Sequence, residues 1–353
     1  MGVNWFDGYM SKCYATFVDE QSWLDGYSPI DNVGKNNLEI LSGSIKHSGS
    51  DDLKESATIE CLEYDTTVER WIRIWMDVKQ DSNYAHEAIF TGLAISPGKK
   101  YDGLYQQNTV ECYSVLKPAQ DILLKPGWYA PVGSKGADLA KDLLSVIPAP
   151  VYISDESPRL EDSLIAESGE NRLSMALAIL NSIGWKLSIN GMGEVYLDPI
   201  EENPTPIITM DSIDSDIIEP QITIDYDWYE CPNVFRAVTQ DGIVAEARDE
   251  SDDSMFSIQN RGREVWAEEN NITLGDNESL GKYAMRRLDE LQRVNTLISY
   301  DRRFYPNLNV GDLVIINYPA NKISGIFLII SQNIELGYNA KTSEEAIQVW
   351  DQA

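Results

Sequence analysis

The imidazoles of this chain are two, His47 beside a Ser-Gly-Ser turn and His86 near the start of an apolar run. Neither belongs to an HExxH pair or another ligand spacing, so both are expected at the surface or with their hydrogen bonds satisfied. Cys13, Cys61, Cys112 and Cys231 lie far apart with no CxxC pair. That spacing suggests neither a zinc cluster nor a dense disulfide framework, and the four are expected to be buried thiols of a protein made in the cytoplasm. No Gly-x-Ser-x-Gly elbow, P-loop or GxGxxG is present, which leaves a hydrolytic triad or a nucleotide site without support. Carboxylates number 57, too many for any pair to be informative. Residue count alone therefore leaves open a glycosidase that cleaves cell-wall sugars with two acids, although nothing singles out a pair beside an aromatic cleft. The run Arg248 to Asp253 lacks the alternating acids, glycine and terminal glutamate of a calcium loop and reads as solvated surface. The Asn271-Ile272-Thr273 and Asn277-Glu278-Ser279 sequons carry no meaning without a secretory signal. No catalytic, cofactor-binding or metal-ligating residue is expected, and the protein is expected not to be an enzyme.

The elements that would position any site begin from composition. A chain of 353 residues has room for two or three cores. With 43% hydrophobic residues, nine Trp and eighteen Tyr, it has the balance of a folded protein. Met1 to Gly26 has no basic segment followed by an apolar run, and no stretch approaches the ~18 apolar residues of a membrane span. The net charge of −29 argues against binding nucleic acid through phosphate neutralisation. It fits either a solubilising surface or a conduit wall along which DNA slides.

Tyr14 to Val18, Leu38 to Ile45, Ala57 to Cys61, Trp71 to Val78, Ile89 to Ile95 and Thr109 to Leu116 have the length and alternation of strands. Trp71-Ile72-Arg73-Ile74-Trp75 puts tryptophans on one face and isoleucines on the other, so both faces must be covered. The spacing predicts a helix over 136–147, then a second capped by Ser174, striped by Ala176, Ile179, Leu180 and Ile183, and stopped at Gly184. Trp185 to Ile189, an Asn190-Gly191 turn and Glu194 to Leu197 form a hairpin. Glu201 to Thr209, with Pro204 and Pro206, reads as a linker. Ile222 to Tyr226 and Val234 to Val238 read as a hairpin-like pair. A third helix spans about 280–293, with Leu280, Ala284, Leu288 and Leu291 on one face and Asp276, Asn277 or Ser279 as cap. Asn295 to Tyr300, Leu313 to Ile316, Gly325 to Ser331 and Asn333 to Leu336 are strands, followed by a polar tail.

The order of these features resembles the tail hub proteins of phages and related contractile injection systems, the baseplate-hub or late-control D family. That family also supplies the N-terminal hub region of siphophage tail-associated proteins. Four segments carry the resemblance: Leu38 to Ile45 with Leu53 to Cys61; Ala88-Ile89-Phe90-Thr91-Gly92-Leu93; the helix and hairpin of 174–198 ending Tyr196-Leu197-Asp198-Pro199; and a helix bearing Arg286 and Arg287 that leads to Pro306 through Val314. The resemblance implies a mainly β fold with an α+β insertion: two tube-like β-barrel domains plus small α+β modules, assembled as a trimeric ring. On that plan 1–117 is the first β-barrel domain, 118–205 the α+β insertion module and 206–353 the second β-rich barrel domain, with barrels able to share discontinuous segments. Three chains would present pseudo-sixfold symmetry to a hexameric tail tube. The implied partners are a homotrimer, the tail tube or distal tail protein, the tape measure protein, a tip spike or central fibre, and DNA as transient cargo, all in the virion tail or baseplate. Two alternatives stand beside it, a hexameric distal tail ring protein and a cell-wall glycan-binding or glycan-hydrolysing tail protein.

Overall fold

The computed structural model describes residues 2–20, 23–24, 37–62, 68–102, 105–201, 204–212, 217–226, 231–239, 242–252, 254, 256–272, 279–292, 296–321, 323–338 and 341–349. They form two compact units. One comprises 1–221, 300–324 and 328–345; the other comprises 222–299, 325–327 and 346–353.

The first unit opens with six strands: β1 (Met10–Phe17), β2 (Asn37–Ser48), β3 (Glu55–Leu62), β4 (Arg70–Gln80), β5 (Asn83–Asp102) and β6 (Tyr105–Ser114). They pair antiparallel in the order β1-β4-β5-β6-β3-β2, and Tyr14↔Glu39 to Thr16↔Asn37 return β1 to β2 and close a barrel. Ile45, Ile59, Ile72, Ile74, Met76, Phe90 and Val110 fill it, all fully buried. Each such side chain contributes roughly 1.5–3 kcal/mol of transfer free energy. The outward face of β4 is covered as well. Trp71 joins Val115 and Leu116 in the core of the module that follows, which is why every residue from Trp71 to Met76 is buried.

That module runs α1 (Lys117–Asp121), β7 (Tyr129–Ala130), α2 (Gly136–Leu143), β8 (Val151–Ile153), β9 (Leu164–Ile165), α3 (Arg172–Ser182), β10 (Trp185–Ile189) and β11 (Val195–Pro199). The predicted helix over 136–147 ends earlier, at Leu143, and tightens into a 3₁₀ turn over Leu144–Val146. In α3 the cap is Asn171, one turn before the position expected from Ser174. Ser174 N–H donates to Asn171 Oδ1 at 2.8 Å, and Asn171 N–H donates back to Ser174 Oγ at 3.2 Å. Serine thus answers the cap from the third helical position, in a capping box. Gly184, at φ 67°, ends the helix as predicted. β10, β11 and β8 form a small sheet, β8 parallel to β11.

Beyond the module come β12 (Ile208–Asp211) and β13 (Ile218–Tyr226). β12 begins inside the predicted linker and runs two residues past its end: its Ile208 and Met210 are buried, and a parallel ladder holds it against the later segment 314–317. The second unit contains β14 (Val234–Thr239), β15 (Val244–Arg248), α4 (Ile258–Arg261), β16 (Trp266–Ile272) and α5 (Leu280–Gln292). The expected pairing of 222–226 with 234–238 is not what forms, because β14 is central between antiparallel β15 and parallel β16. Alternation reports which face of a strand is buried, not which neighbour it pairs with. Ala284 and Leu288 of α5 pack on Phe235, Ala237, Ala247 and Ile272, whereas Leu291, assigned to that stripe, is 37% exposed. Ser279 is at the helix start, its Oγ accepting from Lys282 N–H at 3.4 Å; the other cap candidates, Asp276 and Asn277, lie outside the described residues, as do Thr273, Glu278, Asp253, Arg293 and Asn295. Within the acidic run, Asp249 organises a turn, accepting from Ser254 Oγ and Gln292 Nε2.

The last strands are β17 (Thr296–Arg303), β18 (Leu313–Tyr318), β19 (Ile323–Leu336) and β20 (Lys341–Val349). The predicted polar tail is therefore a strand. Thr342, Glu344 and Ala346 are buried at every second position, and the charge of Glu344 hid that alternation. The ladder runs β12-β18-β19-β20-β17-β13, six strands, and Gly43 to Ser48 of β2 pair with Ser331 to Leu336 of β19. β19 is thus common to both sets of strands, and the whole is a twelve-stranded sheet.

Candidate functional site

Two groups of buried polar side chains stand out, and both join segments distant in sequence. The first is built on Arg73, at the centre of β4 between Trp71 and Trp75 and 2% exposed. Its Nε donates to Thr91 Oγ1 at 2.9 Å, and Nη2 donates to the carbonyls of Trp23 and Met192, each at 2.9 Å. Thr91 Oγ1 in turn donates to Gly191 O at 2.7 Å, and Trp23 Nε1 donates to Met192 O at 3.1 Å. Burial pushes the guanidinium down to about 10, still charged at neutral pH. Its donors are thereby matched to the Thr91 hydroxyl, the Trp23 carbonyl and the Met192 carbonyl of the β10–β11 turn, and that turn is pressed onto β5. A Cβ on Gly191 would lie 1.8 Å from Ala88 O. Glycine is required there for close approach of two backbones, besides serving the turn.

The second group is a row across the sheet. Glu55 of β3, His47 of β2 and Gln332 of β19 are cross-strand partners on one face. Gln332 Nε2 donates to Glu344 Oε1 at 2.6 Å and to Leu308 O at 2.8 Å, and Arg302 Nη2 donates to Glu344 Oε1 at 2.5 Å. Arg302 is 1% and Glu344 2% exposed. Paired charges this deep give little net stability, but each fixes the position of the other. Arg302 Nε and Glu344 Oε2 nevertheless have no hydrogen-bond partner in the structure, and the Glu55 end is less satisfied still. Its Oε2 is 3.9 Å from His47 Nδ1, too far for a hydrogen bond, and Glu55 Oε1 and His47 Nε2 have no hydrogen-bond partner in the structure. Burial pushes the Glu55 carboxyl well up and the His47 imidazole down to about 4, so the imidazole is neutral near pH 7.

These two residues are among those lining a cavity of about 450 Å³, together with residues of the β10–β11 hairpin and of 304–312, while Glu55 Oε1 and His47 Nε2 are themselves buried. His47 is half-buried and its Nε2 has no hydrogen-bond partner, whereas a surface or satisfied side chain was expected. His86 is satisfied: its Nδ1 lies 2.6 Å from Asp77 Oδ1 and its ring stacks on Trp75 with centroids 4.2 Å apart. All four cysteines are buried thiols, far from one another in the sequence, and burial pushes Cys13 and Cys61 up to about 11. Among the described residues no group of three His, Cys, Asp or Glu side chains is placed to hold a metal ion. No helix among them is long and apolar enough to cross a membrane. Sequence reasoning passed over Arg73, Glu55 and Glu344, and in each case the signal was a charge sharing its parity with apolar residues of a strand, on the face that turns out to be buried.

No protein-family model matches the sequence, and no curated protein matches it either. Solved structures do match in fold. A tail protein from Neisseria meningitidis aligns over 96% of each chain at TM-score 0.60 and 13% identity. The 43 kDa tail protein of prophage MuSo2 from Shewanella oneidensis aligns over 96% of this chain and 98% of its own at TM-score 0.61 and 12% identity. An Escherichia coli component of the type VI secretion system aligns over 89% of this chain and 74% of its own at TM-score 0.50 and 9% identity. The mainly β fold with its closed six-stranded barrel is therefore one that phage tail proteins also have.

Proposed function

We propose that the chain is a structural subunit of a phage-type tail or baseplate, acting as the hub at the distal end of the tail tube and without catalytic activity. The observation that carries this reading is the fold match over 96% of the chain to two tail proteins, end to end and not through one module. The architecture fits the role. Two sets of six strands in each chain, joined through β19, would give a trimer six similar lobes with which to face a hexameric tube. On this reading 1–117 and 206–353 supply the two tube-like domains and 118–205 the insertion. The partners are two further copies of the chain, the tube or distal tail protein, the tape measure protein, and a tip spike or central fibre, with DNA passing through during ejection. Obligate interfaces of this kind bury over ~2,000 Å². The Arg73 and Arg302 groups hold the segments of one subunit in register and need no substrate to explain them.

Light scattering followed by negative-stain class averages tests the proposal. The expected particle contains three chains of 39.7 kDa, about 119 kDa, and shows a threefold ring with six lobes. A sixfold ring would replace the hub by a distal tail ring protein. A monomer that binds or cleaves peptidoglycan would overturn the structural reading altogether.

A further inference from the structure

We propose that Asn190 is a modification site: conversion of its side-chain amide to isoaspartate is held back by Glu194 and, once it occurs, permanently frees the β10–β11 turn from the first barrel. Asn190-Gly191 is the single Asn-Gly pair of the sequence. A glycine after asparagine leaves the next backbone nitrogen unshielded by a side chain and free to swing towards the amide carbon. The only co-reactant is water. The Gly191 nitrogen attacks Asn190 Cγ and a C–N bond closes a succinimide ring, while the Cγ–Nδ2 bond breaks and ammonia leaves with the Gly191 proton. Water then opens the ring at either carbonyl. One product is aspartate; the other is isoaspartate, in which the main chain runs through the side-chain carbon.

The native turn keeps the reacting atoms apart. Asn190 Oδ1 accepts from Glu194 N–H at 3.0 Å, and Asn190 Nδ2 donates to Glu194 Oε2 at 2.6 Å, so both ends of the amide are tied to one residue. The main chain of Asn190 is tied as well: its N–H donates to Glu194 O at 3.1 Å, and its carbonyl accepts from Gly193 N–H at 2.8 Å. Ring closure requires the side chain to turn back towards the Gly191 nitrogen, which breaks both amide bonds. The bond to the carboxylate is the stronger of the two, because its acceptor is charged. Tyr196 Oη donates to the same Glu194 Oε2 at 3.2 Å and holds that carboxylate in place. Asn190 itself is only half-buried, so the water of the second step has access to it.

The docked turn has no room for the product. A Cβ on Gly191 would lie 1.8 Å from Ala88 O. Isoaspartate lengthens the main chain just before Gly191 by one carbon, about 1.5 Å, which displaces Gly191 O from its 2.7 Å bond with Thr91 Oγ1. It also leaves a carboxylate on the Asn190 α-carbon, near Glu194, where the native side chain offers a donor. Conversion thus takes place in the rare open turn and prevents that turn from closing again.

The test incubates the intact protein at pH 8 and 37 °C, folded or in urea, and follows Asn190 by peptide mass mapping. Conversion in the folded chain should be at least about tenfold slower than in urea, and Glu194→Ala should remove most of that protection, as loss of a hydrogen bond to a charged group requires. Glu194→Gln keeps an acceptor oxygen and should stay within about threefold of the parent. Chain converted in urea and then refolded should be cut by protease between Trp185 and Pro199. Asn190→Gln, whose ring closes far more slowly, should regain full protection after the same treatment. Equal rates in the folded and unfolded chain, a Glu194→Ala rate no faster than the parent's, or a converted chain that regains protection would each overturn the assignment.

Discussion

Replacing Gly191 by alanine should undo the attachment of the β10–β11 turn to the first barrel. The added Cβ would lie 1.8 Å from the Ala88 carbonyl oxygen and 2.9 Å from Ile89 N, backbone atoms that cannot rotate away. Restoring a contact of about 3.0 Å requires the turn to withdraw by roughly 1.2 Å. The Thr91 Oγ1 to Gly191 O bond then stretches from 2.7 to about 3.9 Å, beyond hydrogen-bonding range, and the Met192 carbonyl recedes from Arg73 and Trp23. Losing two neutral bonds at about 1 kcal/mol each and one charged bond at about 2 kcal/mol gives a destabilisation of about 4 kcal/mol. Urea unfolding followed by tryptophan fluorescence should show the midpoint lowered by about 1 M or more, with new proteolysis between Trp185 and Pro199. Gly281→Ala is the control, because nothing lies within 4 Å of its Cβ and it sits inside α5, where alanine stabilises by up to about 1 kcal/mol. A midpoint shift for Gly191→Ala below about 0.3 M would refute the close-approach argument.

Three further outcomes follow from the buried polar groups. Arg302→Met should cost about 3–5 kcal/mol by leaving Glu344 buried without its partner, while Arg302→Met combined with Glu344→Leu should recover most of that loss in the same urea assay. His47, at about 4 when folded against 6.5 when unfolded, takes up its proton more readily in the unfolded chain, so its contribution is present above pH 6.5 and lost as pH falls towards 4. The full loss is about 3 kcal/mol at roughly 1.4 kcal/mol per pH unit, and His47→Gln should flatten the acid side of a stability–pH profile accordingly. Glu55, raised when folded, acts in the opposite direction: stability is lost as pH rises above 4.5, and Glu55→Gln should be more stable than the parent at pH 8 but equal to it below pH 4.

Strand positions and burial were legible because they rest on local periodicity. Trp71 to Met76 announced two covered faces, and the helix ending at Gly184 announced its stop. What sequence did not convey was partnership. Ile208 and Met210 alternate as a strand, but Pro204 and Pro206 just before them concealed it, and their ladder partner lies about a hundred residues further on. Likewise 222–226 and 234–238 are both strands, yet nothing in either states that one has β17 for a neighbour and the other β15 and β16. The site was legible only in part. Glu55 shares its parity with Ala57, Ile59 and Cys61, so an inward carboxyl could be read from β3 alone. Its position opposite His47 and above a cavity depends on a strand pairing and on segments from three parts of the chain.

The sharing of β19 has a consequence for how the protein is made. Gly43 to Ser48 of β2 present a strand edge as soon as they leave the ribosome, but their partners Ser331 to Leu336 come almost three hundred residues later. At the usual ~5–20 residues per second, that edge waits roughly 15 to 60 s for its own chain. During that interval any extended segment of a neighbouring nascent chain could pair with it. The edge carries Ser44, Lys46 and Ser48, polar side chains that make it a poor template for apolar strands. Timely completion of the chain is therefore part of what keeps newly made subunits from joining one another by the wrong strands.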